Sequence, residues 1–158
     1  MPIIDADTHV TECDATFSYL SEGEERFMPA KGEFTAPNGS TRAFYLIDGL
    51  PRGRRRPSAS DPWSVMGELL DIPARLKAMD DMAVETQVIY PTTFSSGGIE
   101  SADAELALTR SYNRWLADRT STSGGRLRWI MLPSLQNMDK SIEQLRWAKD
   151  HGAVGVLK

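Results

Sequence analysis

Apolar residues recur along this chain in two rhythms. Short apolar runs bounded by Pro or Gly alternate with stretches in which apolar residues return every three or four positions. The first rhythm marks strands and the second marks amphipathic helices. Ile3 to Val10 reads as a strand that begins almost at once. Pro73, Leu76, Met79 and Met82 predict a short helix over 73–83, with Pro73 in its first turn. Thr86 to Tyr90 predicts a strand closed by Pro91. Ser101 is placed to cap a helix whose first turn carries Asp103 and Glu105 and whose stripe is Leu108, Tyr112, Trp115 and Leu116. Gly124-Gly125 ends it. Leu127 to Leu132 predicts a third strand, stopped by Pro133. Asn137 is placed to cap a helix bearing Met138, Ile142, Leu145 and Ala148, which ends at His151-Gly152. Ala153 to Leu157 predicts a fourth strand.

Residues 14 to 71 break this order. Gly, Pro, Ser and charge dominate them, including Arg52-Gly53-Arg54-Arg55-Arg56-Pro57. They predict a long irregular insertion after the first strand, with a short hairpin around Phe44 to Ile47. Strands alternating with helices argue for α/β architecture with a parallel sheet, because each crossover helix covers one face. Gly97-Gly98 lacks the spacing of a phosphate-binding loop.

Bulk properties narrow the classes. The chain has 158 residues, 41% hydrophobic and 25% charged, enough for one globular domain with a core. A net charge of −4 argues against nucleic acid as a partner. No apolar run approaches the ~20 residues that span a membrane, and the N-terminus lacks a basic stretch followed by an apolar one. The single cysteine, Cys13, cannot form an internal disulfide. These features predict a cytoplasmic protein with no membrane partner.

Candidate chemistry concentrates in the first strand. Side chains in a strand alternate faces, so Asp5, Asp7 and His9 are expected on one face and Ile4, Ala6 and Thr8 on the other. A carboxylate and an imidazole two residues apart lie about 7 Å apart along a strand that rises ~3.3 Å per residue. Their tips can converge on one ion, and zinc or manganese accepts both donor types. From spacing alone the pair is equally at home as polar decoration of a solvated edge strand. Asp5, Glu12, Tyr90 and Thr92 are further candidates, to orient the ligands or to touch substrate. His151 at a helix end reads as a C-terminal cap. Arg52 to Arg56 and Lys158 read as solvated, Cys13 as a small buried thiol, and the Trp residues at 115, 129 and 147 as core or interface.

The segment Ile3-Ile4-Asp5-Ala6-Asp7-Thr8-His9-Val10-Thr11-Glu12 resembles the opening strand of the amidohydrolase-related group of the amidohydrolase superfamily. That group includes aminocarboxymuconate-semialdehyde decarboxylase and γ-resorcylate decarboxylase. The resemblance continues through Ala74 to Asp80, Gln87 to Thr92, Ser111 to Leu116, Arg126 to Arg128, Leu132-Pro133 and Gly152 to Val156. Ala83 stands where the group usually has Gly. The resemblance implies a (β/α)8 barrel and a divalent metal, zinc or manganese, with Asp7 and His9 as two of its ligands. It implies a metal-dependent hydrolase or non-oxidative decarboxylase acting on a small carboxylated substrate. The group completes its site with a histidine on the fifth strand and an aspartate on the eighth, neither of which is found here, so no catalytic base is assigned.

Such barrels take ~250 residues and rarely fewer than ~200. A length of 158 therefore predicts a partial barrel, its N-terminal half with about four strands. Such a chain is expected to self-associate or to meet a complementary chain. The rival reading is a non-catalytic half-barrel or truncated fragment that acts only through assembly.

Overall fold

Four strands form the frame. β1 (Ile3–His9), β5 (Val84–Tyr90), β6 (Leu127–Met131) and β7 (Ala153–Val156) make one sheet in the order β1-β5-β6-β7, with every pair parallel. In the computed structural model, residues 1–54, 66–95 and 98–157 are described. Strand order follows chain order, as the alternation of strand and helix predicts. The architecture is a partial (β/α)8 barrel of four strands.

Local chemistry sets where the helices begin and end. α2 (Ile72–Asp81) starts at Asp71, whose carboxylate accepts from the Ala74 amide at 2.8 Å, with Pro73 in the first turn. It stops at Ala83, which takes a left-handed φ of 56°. α3 (Ala102–Ser121) starts at Ser101, whose hydroxyl accepts from the Ala104 amide at 3.3 Å. It is followed by Gly124 and Gly125 at φ of 61° and 82°. α4 (Met138–Asp150) ends at His151, whose Nδ1 meets the Trp147 carbonyl at 2.7 Å while its ring stacks on Trp147. His151 thus serves the helix end, as its position in the sequence suggests. Asn137 does not cap α4 with its side chain. Its amide donates instead to the Ala102 carbonyl and the Ser134 hydroxyl.

The core lies between the sheet and α2 and α3. Ile89, Met79, Tyr112, Trp115, Leu116 and Trp129 are fully buried there. Asn113 docks α3 onto the end of β6: its Oδ1 accepts from the Leu132 amide and its Nδ2 donates to the Leu132 carbonyl.

The insertion differs from the irregular excursion that its composition predicts. After the short α1 (Asp14–Phe17) it forms a three-stranded antiparallel sheet: β2 (Ala30–Thr35), β3 (Thr41–Ile47) and β4 (Leu50–Arg54). The hairpin around Phe44 to Ile47 is the β3–β4 pair. It turns on Asp48-Gly49, with φ of 49° and 77°, the two left-handed residues that a tight two-residue hairpin needs. Ala43, Tyr45 and Ile47 face inward, and Tyr45 and Ile47 pack with Phe17, Ile99 and Leu108 in a second core. Hydrophobic burial, not regular alternation along the sequence, pins this sheet to the frame.

Candidate metal centre

The site lies at the C-terminal end of β1. Asp7 Oδ1 and His9 Nε2 are 3.7 Å apart. Asp7 is almost fully exposed and His9 about half exposed. The His9 ring is held from behind, because its Nδ1 lies 2.8 Å from the Pro91 carbonyl oxygen. A carbonyl only accepts, so this contact places a ring proton on Nδ1 and makes Nε2 the nitrogen that faces Asp7. The Tyr90 ring sits 6.0 Å from the His9 ring, centroid to centroid.

Simple alternation fails in β1. The strand spends three steps, Asp5 to Thr8, where β5 spends two, Gln87 to Ile89. This is a β-bulge, uncommon in parallel pairs. An opposite shift between Ile3 and Ile4 cancels it, so Ile4 and Asp5 are the residues displaced while Thr8 and His9 return to the register of Ile3. Asp5 does not accompany Asp7 and His9 as expected; it accompanies Thr8, whose hydroxyl donates to its carboxylate. Gln87 Nε2 donates to the same carboxylate at 3.2 Å. Gln87 and Ile89 are buried and alternate with Val88 and Tyr90, so they lie on the face covered by α2 and α3. His9, registered with Tyr90, lies on the other face.

A polar chain runs behind Asp5. Arg75 Nε donates to Gln87 Oε1 at 3.0 Å and Arg75 Nη1 donates to the Met66 carbonyl at 3.0 Å. The Thr8 hydroxyl, aided by the Asp7 amide and Gln87, holds the Asp5 carboxyl below the usual range despite its desolvation. Burial pulls the Arg75 guanidinium down to about 10, against the pull of Asp5. A groove of ≈ 610 Å³ opens along β1, lined by Asp5, Asp7, His9, Arg75 and Gln87 among others. Among the described residues β1 has no strand on its other side, so this groove follows the free edge.

Glu12 is buried and clasps the neighbouring loop. Its two carboxylate oxygens accept from the Thr92 and Thr93 amides at 3.0 and 2.8 Å. Burial pushes its carboxyl above the usual range despite these bonds. It therefore ties the end of β1 to the end of β5, with Thr92 lining the groove beside His9. Cys13 is buried at the start of α1, and burial pushes its thiol up. Arg52 donates to the Gly98 carbonyl at 2.9 Å. Arg55, Arg56 and Lys158 lie outside the described residues.

Thr8, Gln87 and Arg75 are the site residues that pattern reading passes over. Arg75 carries the clearest signal: a cation on the Ile72, Leu76, Met79 stripe of α2 needs a buried partner. Among the described residues no group of three or more His, Cys, Asp or Glu side chains is placed to hold an ion. Among them, too, no helix is long and apolar enough to cross a membrane.

No protein-family model matches the sequence, and no curated protein matches it. Solved structures do. An amidohydrolase from Mycobacterium avium subsp. paratuberculosis K-10 superposes with a TM-score of 0.69 at 19% identity, over 98% of this chain and 48% of its own. A 2,6-dihydroxybenzoate decarboxylase from Rhizobium superposes with a TM-score of 0.54 at 16% identity, over 99% of this chain and 38% of its own. The chain thus spans less than half the length of these enzymes while sharing the fold of that part.

Proposed function

We propose that this chain carries part of the metal site of a hydrolase or non-oxidative decarboxylase that acts on a small carboxylated substrate. The observation that carries the proposal is the Asp7–His9 pair, with Nε2 turned toward Oδ1 at 3.7 Å and Nδ1 engaged by Pro91. The donor set fits a divalent ion: one carboxylate oxygen and one imidazole nitrogen at this spacing can both reach a centre ~2.0–2.2 Å from each. Zinc and manganese both accept oxygen and nitrogen donors. When bound, such an ion polarises a substrate oxygen or activates water. Asp7 and His9 would hold it. Pro91 fixes the imidazole, Glu12 fixes the loop that carries Thr92, and Thr92, which lines the groove, and Tyr90, whose ring neighbours His9, would touch substrate. A carboxylate in the first ligand position favours the decarboxylase branch. One of the structural neighbours is a decarboxylase of 2,6-dihydroxybenzoate, which is γ-resorcylate.

The second reading is a non-catalytic half-barrel that acts through assembly, with itself or with a complementary chain. The absence of a third ligand among the described residues favours it. The test is incubation with manganese or zinc ions and a carboxylated aromatic, following carbon dioxide release and, separately, amide or ester hydrolysis. Metal-dependent turnover that His9→Gln abolishes supports the enzyme reading. Bound metal with both reactions at background supports the second.

A further inference from the structure

We propose that a second copy of this chain closes the sheet. β7 of each copy pairs in parallel with β1 of the other, and two partial barrels make one barrel about a two-fold axis. The inference goes beyond the metal-site reading and does not rest on it. Of the partners named above, a second copy or a complementary chain, the edges and grooves of the sheet fit the first.

Three surfaces are open at once. Among the described residues neither β1 nor β7 has a strand on its outer side. The backbone of β7 is set for a further partner. The Leu157 amide donates to the Met131 carbonyl, so Gly155 and Leu157 turn their backbone groups toward β6 while Val154 and Val156 turn theirs outward. β7 reads Ala-Val-Gly-Val, without the lysine or proline that keeps an edge strand solitary. The third surface is the face of the sheet turned away from the helices. There Thr86, Val88 and Tyr90 are only half-buried, although β5 has a strand on each side. Ile4 registers with Thr86 and is exposed. Parallel sheets occur almost only with both faces covered.

One operation answers all three. A two-fold axis along the strands preserves their direction, so β7 meets β1 in parallel at both seams, and each contact is made twice. Two four-stranded sheets give eight strands, the number at which side chains just fill a barrel interior. The faces that carry Thr86, Val88 and Tyr90 then meet across that interior. Outside, α4 of one copy becomes the neighbour of α2 of the other. Exposed Ile142, Leu145, Val154 and Val156 stand on one bank of the seam and exposed Met82 on the other. Charge matches across it too. The groove beside β7 is lined by Arg146 and Lys149 and by no acid among the described residues. The groove along β1 is lined by Asp5 and Asp7, and its one arginine, Arg75, is bonded to Gln87 and the Met66 carbonyl. A complementary chain would have to match two unlike edges, whereas a second copy already carries both.

The test is the size of the purified full chain, by light scattering and sedimentation equilibrium in the presence of a chelator. Two chains per particle are expected. A monomer throughout the micromolar range, or particles larger than two chains, overturns the proposal. Val156→Pro removes a donor at the outer edge and spares the ladder to β6, so it is expected to be monomeric. If it does not fold, Val154→Lys places a charge at the same edge and is expected to do the same. A folded variant of either kind that stays dimeric overturns the proposal. Cross-linking identifies the seam. Ile4→Cys and Val154→Cys chains, refolded together and treated with a short bismaleimide, are expected to join to each other. Ile4→Cys alone is expected not to join, because the two copies of β1 lie on opposite sides of the barrel. Joining of Ile4→Cys to itself, or none in the mixture, overturns the pairing. A dimer that binds no manganese would retire the metal-site reading and leave this inference standing, and a monomer that binds manganese would do the reverse.

Discussion

His9 is tied to Pro91 across the β1–β5 pair, its Nδ1 2.8 Å from the carbonyl oxygen. The bond spans the ends of two strands and fixes both the rotation of the ring and its tautomer. Nitrogen-15 spectra of the chain should show the Nδ1–H tautomer for the neutral His9 ring. Addition of zinc should then move the Nε2 resonance first. An Nε2-protonated His9, or zinc perturbing Nδ1, would show that this nitrogen is not presented to a ligand.

Glu12 makes stability depend on pH. Burial raises its carboxyl above the usual carboxylate range, so the folded state holds its proton to higher pH than the unfolded state does. The resulting stabilisation is full below the unfolded pKa and is lost as pH rises through the raised folded value. Melting temperatures of wild type and Glu12→Gln, measured across this range, should therefore diverge. The wild type should lose stability relative to the variant as pH rises above 4.5. Parallel curves would mean that Glu12 titrates like an exposed carboxylate.

Ala83 adopts a φ of 56° just beyond α2 and is exposed. A left-handed conformation costs a residue with a Cβ ~1–2 kcal/mol, which glycine escapes at some cost in unfolded-state entropy. Ala83→Gly is expected to stabilise the chain by about 1 kcal/mol, or roughly 2–4 °C in melting temperature for a domain of this size. Calorimetry checks it, and a lower melting temperature would contradict it.

Asn113 pairs with both the amide and the carbonyl of buried Leu132. Asn113→Ala strands both groups, at a cost of ~1–3 kcal/mol each where water cannot replace the partner. A loss of about 2–4 kcal/mol is expected in urea unfolding. A loss below half a kcal/mol would show that water reaches the α3–β6 junction.

The parallel frame is legible in the sequence because its signals are local. Asp71, Pro73 and Ser101 mark helix starts, and Pro91 and Pro133 stop strands. The insertion sheet is harder to read. Its signals, Asn38-Gly39 and Asp48-Gly49, lie among Gly, Pro and charges that weaken any period. Its stability comes from Tyr45 and Ile47 packing on Phe17 and Leu108, contacts between residues far apart in sequence. The pairing of Asp7 with His9 follows from a period of two, but the bulge does not. Nothing in Asp-Ala-Asp-Thr-His says that three residues of β1 will span two of β5. The partner that meets the Asp5 carboxylate there, Gln87, lies 82 residues away. Glu12 likewise looks like an ordinary loop acid until the Thr92 and Thr93 amides are seen to converge on it.

If Asp7 and His9 hold one divalent ion together, each is needed for its binding. Titration of the purified chain with manganese and zinc ions by calorimetry, alongside Asp7→Asn, His9→Gln and His151→Gln, tests it most directly. Two protein ligands leave most of the coordination shell to water, and catalytic zinc sites generally keep three. One weak site per chain is therefore expected, lost in Asp7→Asn and in His9→Gln and untouched in His151→Gln. Binding that survives either of the first two substitutions unchanged, or that vanishes with His151→Gln, would contradict it.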